Sequence, residues 1–412
     1  MPTDIYYFYA MKKIIIENYE ILTPFGNLNE TLQSFYAGKS AVVAGNFYDC
    51  PVSIAKIKKE MPTKEIVRHY AGDWGQSPLR TLFIYAVAKG DINKIIDKNY
   101  CGYSPILEIQ AKQVAEDLGL GDCKIMVSSN ACAAGAAAID TARLFLQAGE
   151  FERTIIFGFE QISEFVVKGF HALGAISPTG AKPFDKNRNG MSLGEGSGIL
   201  ILTTPSGDNT PATPSLPKGN SQLHNFEEHS KIIDYENSPL PREGVAGALS
   251  PDGVVIAGSG SSNDANHRTG PCREGIGMAL SIERALKSAR ISAGEISAIK
   301  CHGTATPYND AMEAKALKRI FGDKIPPMIS TKGALGHLSG AGSMIETIIS
   351  AEFLKNGEIP ATIGFCEFEG EEQIGVSNKN QKFDGNRILC LSAGFGGMNT
   401  AIILEKGHNA RL

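Results

Sequence analysis

The sequence has no CxxC pair, no long apolar run and no strong excess of positive charge. Eight scattered cysteines without pairs argue against a zinc site and a disulfide framework, and they fit a reducing compartment. No apolar run is long enough to cross a bilayer, and the start lacks the basic-then-apolar order of a signal peptide. A net charge of −4 excludes bulk attraction to nucleic acid or anionic membranes. We therefore expect a soluble cytoplasmic protein without metal, nucleic-acid partner or membrane span.

The chain contains enough hydrophobic residues to form a large core. The 412 residues are 42% hydrophobic, enough for two domains or one large double unit. We interpret residues 1–10 as an extension and Met11 as the natural start. Residues 204–250, proline-rich and then polar, indicate an inserted excursion or linker. We expect 11–250 to form one half of the protein and 251–412 the other.

A weak internal duplication organises the chain. IMVSS, a small-residue turn and a helix ending in LQAGE match PMIST, a similar turn and a helix ending in LKNGE. The strands in TIIFG…GILILT likewise have a counterpart in ILCLSAGFGGMNTAIILE. Repeated strand–turn–helix units predict alternating α/β structure with a mostly parallel sheet in each half.

Several further elements follow from hydrophobic spacing. Helical spacing appears in Ser77–Lys89, in Ser104–Leu118 and, as a clear amphipathic pattern, in Ile276–Ala289. Asn29 or Thr31 is expected to cap a short helix ending at Gly38.

The stretch from Ile125 to Gly149 predicts a buried strand, a small-residue turn and a helix buried on most sides. Cys132 lies at the turn, where unpaired N–H groups and the positive end of the helix dipole favour a thiolate. This arrangement is typical of a nucleophile. The alternative is that Cys132 is a small buried hydrophobe, the more common fate of a free cysteine.

Loops at the ends of three later predicted strands hold further candidates: His302, Lys332 with His337, and Phe395 in a Gly-Phe-Gly-Gly turn. Sites in open α/β sheets form at the carboxyl ends of strands, so these loops can converge. A cysteine with two histidines suits acyl transfer, and backbone N–H groups can form an oxyanion hole. Taken singly, each histidine could be structural, Lys332 a solvated cation and the glycine-rich turn a tight hairpin. It is much less plausible that all of these alternatives hold at once.

Together the motifs resemble the β-ketoacyl synthases of the elongating, Cys-His-His type. The similarity covers roughly Met11 to Lys406 and is weakest in 40–105 and 204–250. Ala305 stands where the family often has Gly or Ser, and Asn130 where Thr is common. The motifs are Ser128–Gly135 around Cys132, His302-Gly-Thr-Ala-Thr-Pro, Ser330-Thr-Lys332 with Gly336-His337, Gly394-Phe-Gly-Gly-Met-Asn399, and the run PFDKNRNGMSLGEGSGILIL.

The resemblance implies an α/β thiolase fold, in which duplicated βαβαβαββ halves form a five-layer α-β-α-β-α sandwich. It implies that Cys132 accepts an acyl chain from acyl carrier protein, and that His302 and His337 bind the malonyl thioester carbonyl during decarboxylation. The backbone N–H groups of Cys132 and Phe395 would form the oxyanion hole. Lys332 and Glu346 would be a supporting pair, and Phe395 the gate to the acyl pocket. No cofactor is implied.

The implied assembly is a homodimer, or a heterodimer with a subunit of the chain-length-factor kind. Three other functions would require different residues. A non-catalytic chain-length-factor-like subunit would lack the cysteine at position 132, and a thiolase or starter-unit synthase would have Cys or Asn in place of His337. A papain-like hydrolase would share Cys and His but not the Lys332–His337 loop. The sequence therefore favours an acyltransferase that makes β-ketoacyl chains in fatty acid, polyketide or aryl-polyene synthesis.

Overall fold

The computed structural model describes residues 13–57, 63–71, 79–96, 102–204, 253–369 and 374–407. Residues 1–10 and nearly all of 204–250 therefore lie outside the described residues. The strands are β1 Ile14–Leu22, β2 Val43–Phe47, β3 Cys50–Ala55, β4 Thr81–Ala86, β5 Lys124–Ser128, β6 Arg153–Glu160, β7 Leu193–Gly194, β8 Gly196–Thr203, β9 Val254–Asn263, β10 Ala298–Lys300, β11 Met328–Ile329, β12 Glu358–Ile359, β13 Gln381–Lys382, β14 Arg387–Gly394 and β15 Met398–Lys406. The helices are α1 Leu28–Tyr36, α2 Thr63–Arg68, α3 Asn93–Ile96, α4 Leu107–Asp117, α5 Ala134–Ala148, α6 Glu164–Ala172, α7 Ile276–Ala289, α8 Pro307–Phe321, α9 Lys332–Leu335 and α10 Ser339–Asn356.

Ten strands form one mixed sheet in the order β11-β10-β14-β15-β9-β1-β8-β6-β4-β5. Its two five-stranded halves have the same plan. In each half the first strand pairs antiparallel with the last, the last pairs antiparallel with the fourth, and the fourth, second and third run parallel. The halves join through a short antiparallel pairing of β1 with β9. This repeated order confirms the predicted duplication, and it corrects the expectation of a mostly parallel sheet, since each half is mixed.

The clusters of buried apolar side chains show that the helices and the two half-sheets are stacked in five layers. The main core packs α5 and α10 between the two half-sheets, with Ile139 and Ile345 among its fully buried members. On the outside of the first half-sheet, Val114 of α4 packs with Phe157 of β6. On the outside of the second, Met278 of α7 packs with strand residues in a third cluster. The α-β-α-β-α arrangement is therefore confirmed.

Three local predictions need correction. The helix expected over Ser77–Lys89 is instead the fully buried strand β4, because a short apolar run bonded on both sides has no need of an amphipathic period. The cap of α1 is Asn27, which forms a capping box with Glu30, and not Asn29 or Thr31. The strand β5 lies at the edge of the sheet and is only partly buried.

Other predicted elements match. The helix α7 runs from Ile276 to Ala289 as the amphipathic pattern predicts. The glycine-rich segment after Arg387 forms the strands β14 and β15 joined by a tight turn. Among the described residues, no helix is both long and apolar enough to pass through a membrane.

Candidate active site

Cys132 lies in a short 3-10 turn, Ala131–Ala133, between the end of β5 and the start of α5. Ala131 has a φ of 48°, a left-handed conformation that is unfavourable for a residue with a side chain and that marks a tight, strained turn. Gly394, at the end of β14, lies directly against this turn: a Cβ there would approach the Cys132 nitrogen to 3.3 Å. The chain's second half therefore closes over the first at the cysteine.

The Cys132 thiol is buried and only 8% of the residue is exposed. Burial raises its pKa to about 12, although the positive charge of Lys332 and backbone N–H groups of Phe395 and Cys132 act in the opposite direction. The sequence-based expectation of a lowered pKa was therefore wrong for the unliganded chain, because desolvation of a thiolate outweighs the local donors. The thiol needs a proton acceptor when it reacts.

Hydrogen bonds of the backbone fix both histidines in place. The N–H groups of His302 and Gly303 donate to the two carboxylate oxygens of Glu313 on α8, at 2.6 and 2.8 Å. The His337 N–H donates to the Ser192 carbonyl at 2.7 Å, and its carbonyl accepts from the Gly194 N–H at 3.0 Å. Each histidine is therefore fixed by an element other than its own.

The two imidazole rings face each other edge-on, with centroids 5.5 Å apart and an interplanar angle of 86°. Both are buried, and neither Nδ1 atom has a hydrogen-bond partner among the described residues. Burial, reinforced by the charge of Lys332, lowers the pKa of His302 well below its usual value and that of His337 to about 3. Both imidazoles are therefore neutral at physiological pH, and each neutral ring carries one N–H group that can donate a hydrogen bond.

Lys332 and Glu346 form a buried ion pair, with 2.7 Å between Nζ and Oε1. The same oxygen accepts the Thr331 hydroxyl at 2.9 Å. The other carboxylate oxygen, Oε2, accepts Lys300 Nζ at 2.8 Å. Despite burial, the lysine charges, Lys300 first, lower the pKa of Glu346 to about 2, so it is ionised.

Phe395 follows Gly394 in the turn between β14 and β15. Its backbone N–H lies within hydrogen-bonding range of the Cys132 thiol, and its ring is tilted against Phe170 of α6, with centroids 5.7 Å apart. This turn therefore supplies both a hydrogen-bond donor and an aromatic side chain beside the Cys132 thiol.

All six residues singled out from the sequence thus lie around one buried centre. Two charged neighbours were missed. Glu160, at the end of β6, accepts the backbone N–H of Gly340 and the Nζ of Lys89, and its charge acts on Cys132. Lys300 was missed too, although a lone lysine in the apolar strand AIK was a usable signal. No group of three potential metal ligands occurs within the described part of the chain.

Comparison with known proteins agrees with this geometry. A model described as "Beta-ketoacyl synthase, N-terminal domain" matches residues 97–206, and "Beta-ketoacyl synthase, C-terminal domain" matches residues 254–366. A 3-oxoacyl-[acyl-carrier-protein] synthase 2 of Staphylococcus aureus is 30% identical over 310 residues, which are 73% of this chain and 67% of that protein. The chain belongs to the β-ketoacyl synthase family.

Other β-ketoacyl synthases show the same relationship. The synthase 2 of Vibrio harveyi is 29% identical over 314 residues, 74% of this chain and 66% of that protein. The chain thus spans about two thirds of the length of the curated relatives it matches. The ishigamide ketosynthase/chain length factor structure has a TM-score of 0.74 at 23% identity, covering 97% of this chain and all of that one. A type II polyketide carrier protein in complex with its hexaketide-bound ketosynthase gives a TM-score of 0.74 at 22% identity, with coverage of 96% and 100%. The fold is therefore that of the ketosynthases.

Proposed function

We propose that this chain is a condensing enzyme. It joins an acyl chain held on Cys132 to malonyl-acyl carrier protein with loss of carbon dioxide, and yields β-ketoacyl-acyl carrier protein. The observation that carries the proposal is a buried cluster beside the Lys332–Glu346 pair, which holds the Cys132 thiol and two neutral imidazoles whose ring centroids are 5.5 Å apart.

The first step loads the acyl group. The Cys132 sulfur attacks the carbonyl of an acyl thioester, and its proton is transferred to the sulfur of the departing carrier. The oxyanion of the tetrahedral intermediate is stabilised by the N–H groups of Cys132 and Phe395. When it collapses, the carrier's thiolate leaves and recovers the proton. Lys332 supports this step because its positive charge favours the Cys132 thiolate.

The second step makes the carbon–carbon bond. His302 and His337, as neutral N–H donors, bind the thioester carbonyl of malonyl-carrier protein and stabilise the enolate left when carbon dioxide departs. The enolate carbon attacks the acyl carbonyl on Cys132, the thiolate leaves, and it takes up a proton. Phe395 and Phe170 form the gate to the acyl pocket in this scheme.

The acyl carrier protein is the proposed partner, supported by the carrier–ketosynthase complex of similar fold. We also propose a cytoplasmic homodimer, or a heterodimer with a chain-length-factor-like subunit. A solved structure of similar fold holds a ketosynthase of Xenorhabdus doucetiae in complex with its chain length factor. The half-exposed edge strand β5 supports an assembly through pairing at this edge. In the proposed division, 11–250 carries the nucleophile and 251–412 carries both histidines.

Replacing the nucleophile tests the first step. The change Cys132→Ala is expected to abolish covalent loading from acyl carrier protein, since Cys132 is the thiol that lies beside the backbone N–H group of Phe395. Intact-protein mass spectrometry detects the adduct, with Cys366→Ala at an exposed thiol as the matched control. An acyl adduct that persists on the Cys132→Ala chain would remove Cys132 from the mechanism.

Replacing either histidine tests the second step. His302→Ala or His337→Ala is expected to lower malonyl decarboxylation by at least about 100-fold, while acyl loading falls less. Release of carbon dioxide and adduct formation are measured separately on the same preparations. Equal losses of both would contradict the division of roles. Product identification with carriers of varied acyl length then distinguishes fatty acid from polyketide or aryl-polyene synthesis.

A further inference from the structure

Two lysines share one carboxylate behind the candidate active site. Lys300 is fully buried on β10, and its Nζ donates to Glu346 Oε2 at 2.8 Å and to the Leu391 carbonyl at 2.7 Å. Lys332, also buried, binds the other oxygen of Glu346. Buried charges are normally paired one to one, because each unpaired charge costs several kcal/mol. This cluster instead keeps a net charge of about +1 in a dry interior.

The two lysines have different surroundings. Lys300 is bound on one side by Glu346 and on another by a backbone carbonyl of β14, so two of its three N–H donors have protein partners. For Lys332, Glu346 is the hydrogen-bond acceptor that the described residues provide. An ammonium carries three N–H donors, so Lys332 retains donors and charge for the side where Cys132 and the two histidines lie.

We propose that Lys300 is a positioning residue of the condensing enzyme: by pairing with Glu346, it leaves Lys332 as an uncompensated positive charge facing Cys132. Without Lys300, Glu346 would neutralise Lys332, and the negative charge that forms on sulfur during loading would lose its nearby cation. The inference rests on the proposed function, but the charge effect on the thiol can be measured without any condensation.

Other ionisable groups surround this cluster and were considered. Glu313 and Asp310 of α8 accept backbone N–H groups of the His302 loop. Burial raises the pKa of Asp310 above its usual value and that of Glu313 to about 7, so the Glu313 carboxyl is partly protonated at neutral pH. Glu160 binds Lys89, which offsets its effect on Cys132. Lys300 is therefore the charge whose removal changes the balance at Lys332 most directly. The groups facing the cluster are Glu160 of β6, Lys300 of β10 with the adjoining Cys301 and His302, Asp310 and Glu313 of α8, Lys332 of α9, His337, Glu346 of α10 and Cys390 of β14.

The test measures how the reactivity of Cys132 changes when charges of the cluster are removed. Lys300→Met removes one positive charge, so alkylation of Cys132 by iodoacetamide at fixed pH is expected to slow about tenfold, which corresponds to one unit of thiol pKa. The double variant Lys300→Met with Glu346→Gln restores +1 on Lys332 and is expected to recover most of that rate. Peptide-resolved mass spectrometry isolates Cys132 from the other thiols, and Lys315→Met at an exposed ion pair on α8 is the control.

An alkylation rate in Lys300→Met within twofold of the parent, or a further loss in the double variant, would overturn the proposal. If Lys300→Met does not fold, Lys300→Gln is used, since its amide still donates to Glu346 or Leu391. A chain that folds with Lys300→Arg but with neither neutral variant would assign Lys300 to stability alone and also overturn the proposal. Condensation by the parent chain is measured alongside, so failure of the proposed function is seen separately.

Discussion

Ala305 holds a left-handed backbone conformation, with a φ of 65°, in the loop that follows His302. Its backbone is fixed by two bonds: the N–H donates to Asp310 and the carbonyl accepts from the Gly190 N–H. Because a side chain in this conformation costs about 1–2 kcal/mol and glycine avoids most of that cost, Ala305→Gly is expected to stabilise the fold by about 1 kcal/mol. Urea unfolding measures the gain.

The same substitution in a helix provides the control. Ala311 is exposed in the interior of α8, where Ala→Gly should destabilise by about 1 kcal/mol. Opposite signs for Ala305→Gly and Ala311→Gly would attribute the gain to the backbone conformation. A loss in both would mean that Ala305 carries no strain.

Individual residues were predictable where a motif surrounds them. His302 and His337 each lie in a glycine-containing loop after a strand, Cys132 lies in a turn of small residues after a strand, and such segments can be recognised in a sequence. Lys300 and Glu160 lie within or at the end of strands, and their partners are distant in the chain. The raised pKa of Cys132 was not predictable either, because it depends on burial by both halves.

At the scale of elements, the contact between α5 and α10 sets the position of Cys132. Gly135 on α5 lies so close to α10 that an added Cβ would approach the Met344 backbone nitrogen to 2.6 Å. Gly135→Ala must therefore push two buried helices apart, and we expect a loss of more than about 2 kcal/mol in unfolding free energy. Faster alkylation of Cys132 should accompany it, because the thiol becomes more accessible.

Gly169 gives the matched comparison. It lies inside α6, exposed, with no atom within 4 Å of an added Cβ. Gly169→Ala should therefore stabilise by about 1 kcal/mol and leave Cys132 alkylation unchanged. If Gly135→Ala proves as harmless as Gly169→Ala, the helices do not pack as closely as described.

Helices and strands with a long hydrophobic pattern could be predicted better than those with a short one. The 14-residue α7 showed its period clearly and was placed correctly. The six-residue β4 was taken for part of a helix, because a fully buried strand has apolar residues on both faces and no alternation. The predicted caps of α1, Asn29 or Thr31, lie two and four residues beyond Asn27, because several adjacent polar side chains suit a helix start and only geometry selects Asn27.

For the whole molecule, the main core draws on both halves, with Leu82 and Leu200 from the first half packed in the same cluster as Ile388 and Leu404 from the second. We therefore expect a single cooperative unfolding transition. Urea titration with pulse alkylation should give the same midpoint for Cys132 and Cys390, which report on different halves. Midpoints more than about 0.5 M apart would indicate that the halves unfold separately.

The duplication was visible in the sequence as two matching strand–turn–helix units. The order of strands was not, because it depends on pairings such as β1 with β9 that join residues about 240 positions apart. Nor could the sequence place β5 at a sheet edge. Both features arise from long-range contacts that leave no local pattern.

Equivalent positions in the two halves hold different chemical groups. Cys132 comes between the third strand of the first half and α5, and His337 comes between the third strand of the second half and α10. The same place in the repeated strand plan thus holds a thiol in one half and an imidazole in the other. Neither half alone contains the whole cluster, so any change that shifts one half against the other would take the cluster apart.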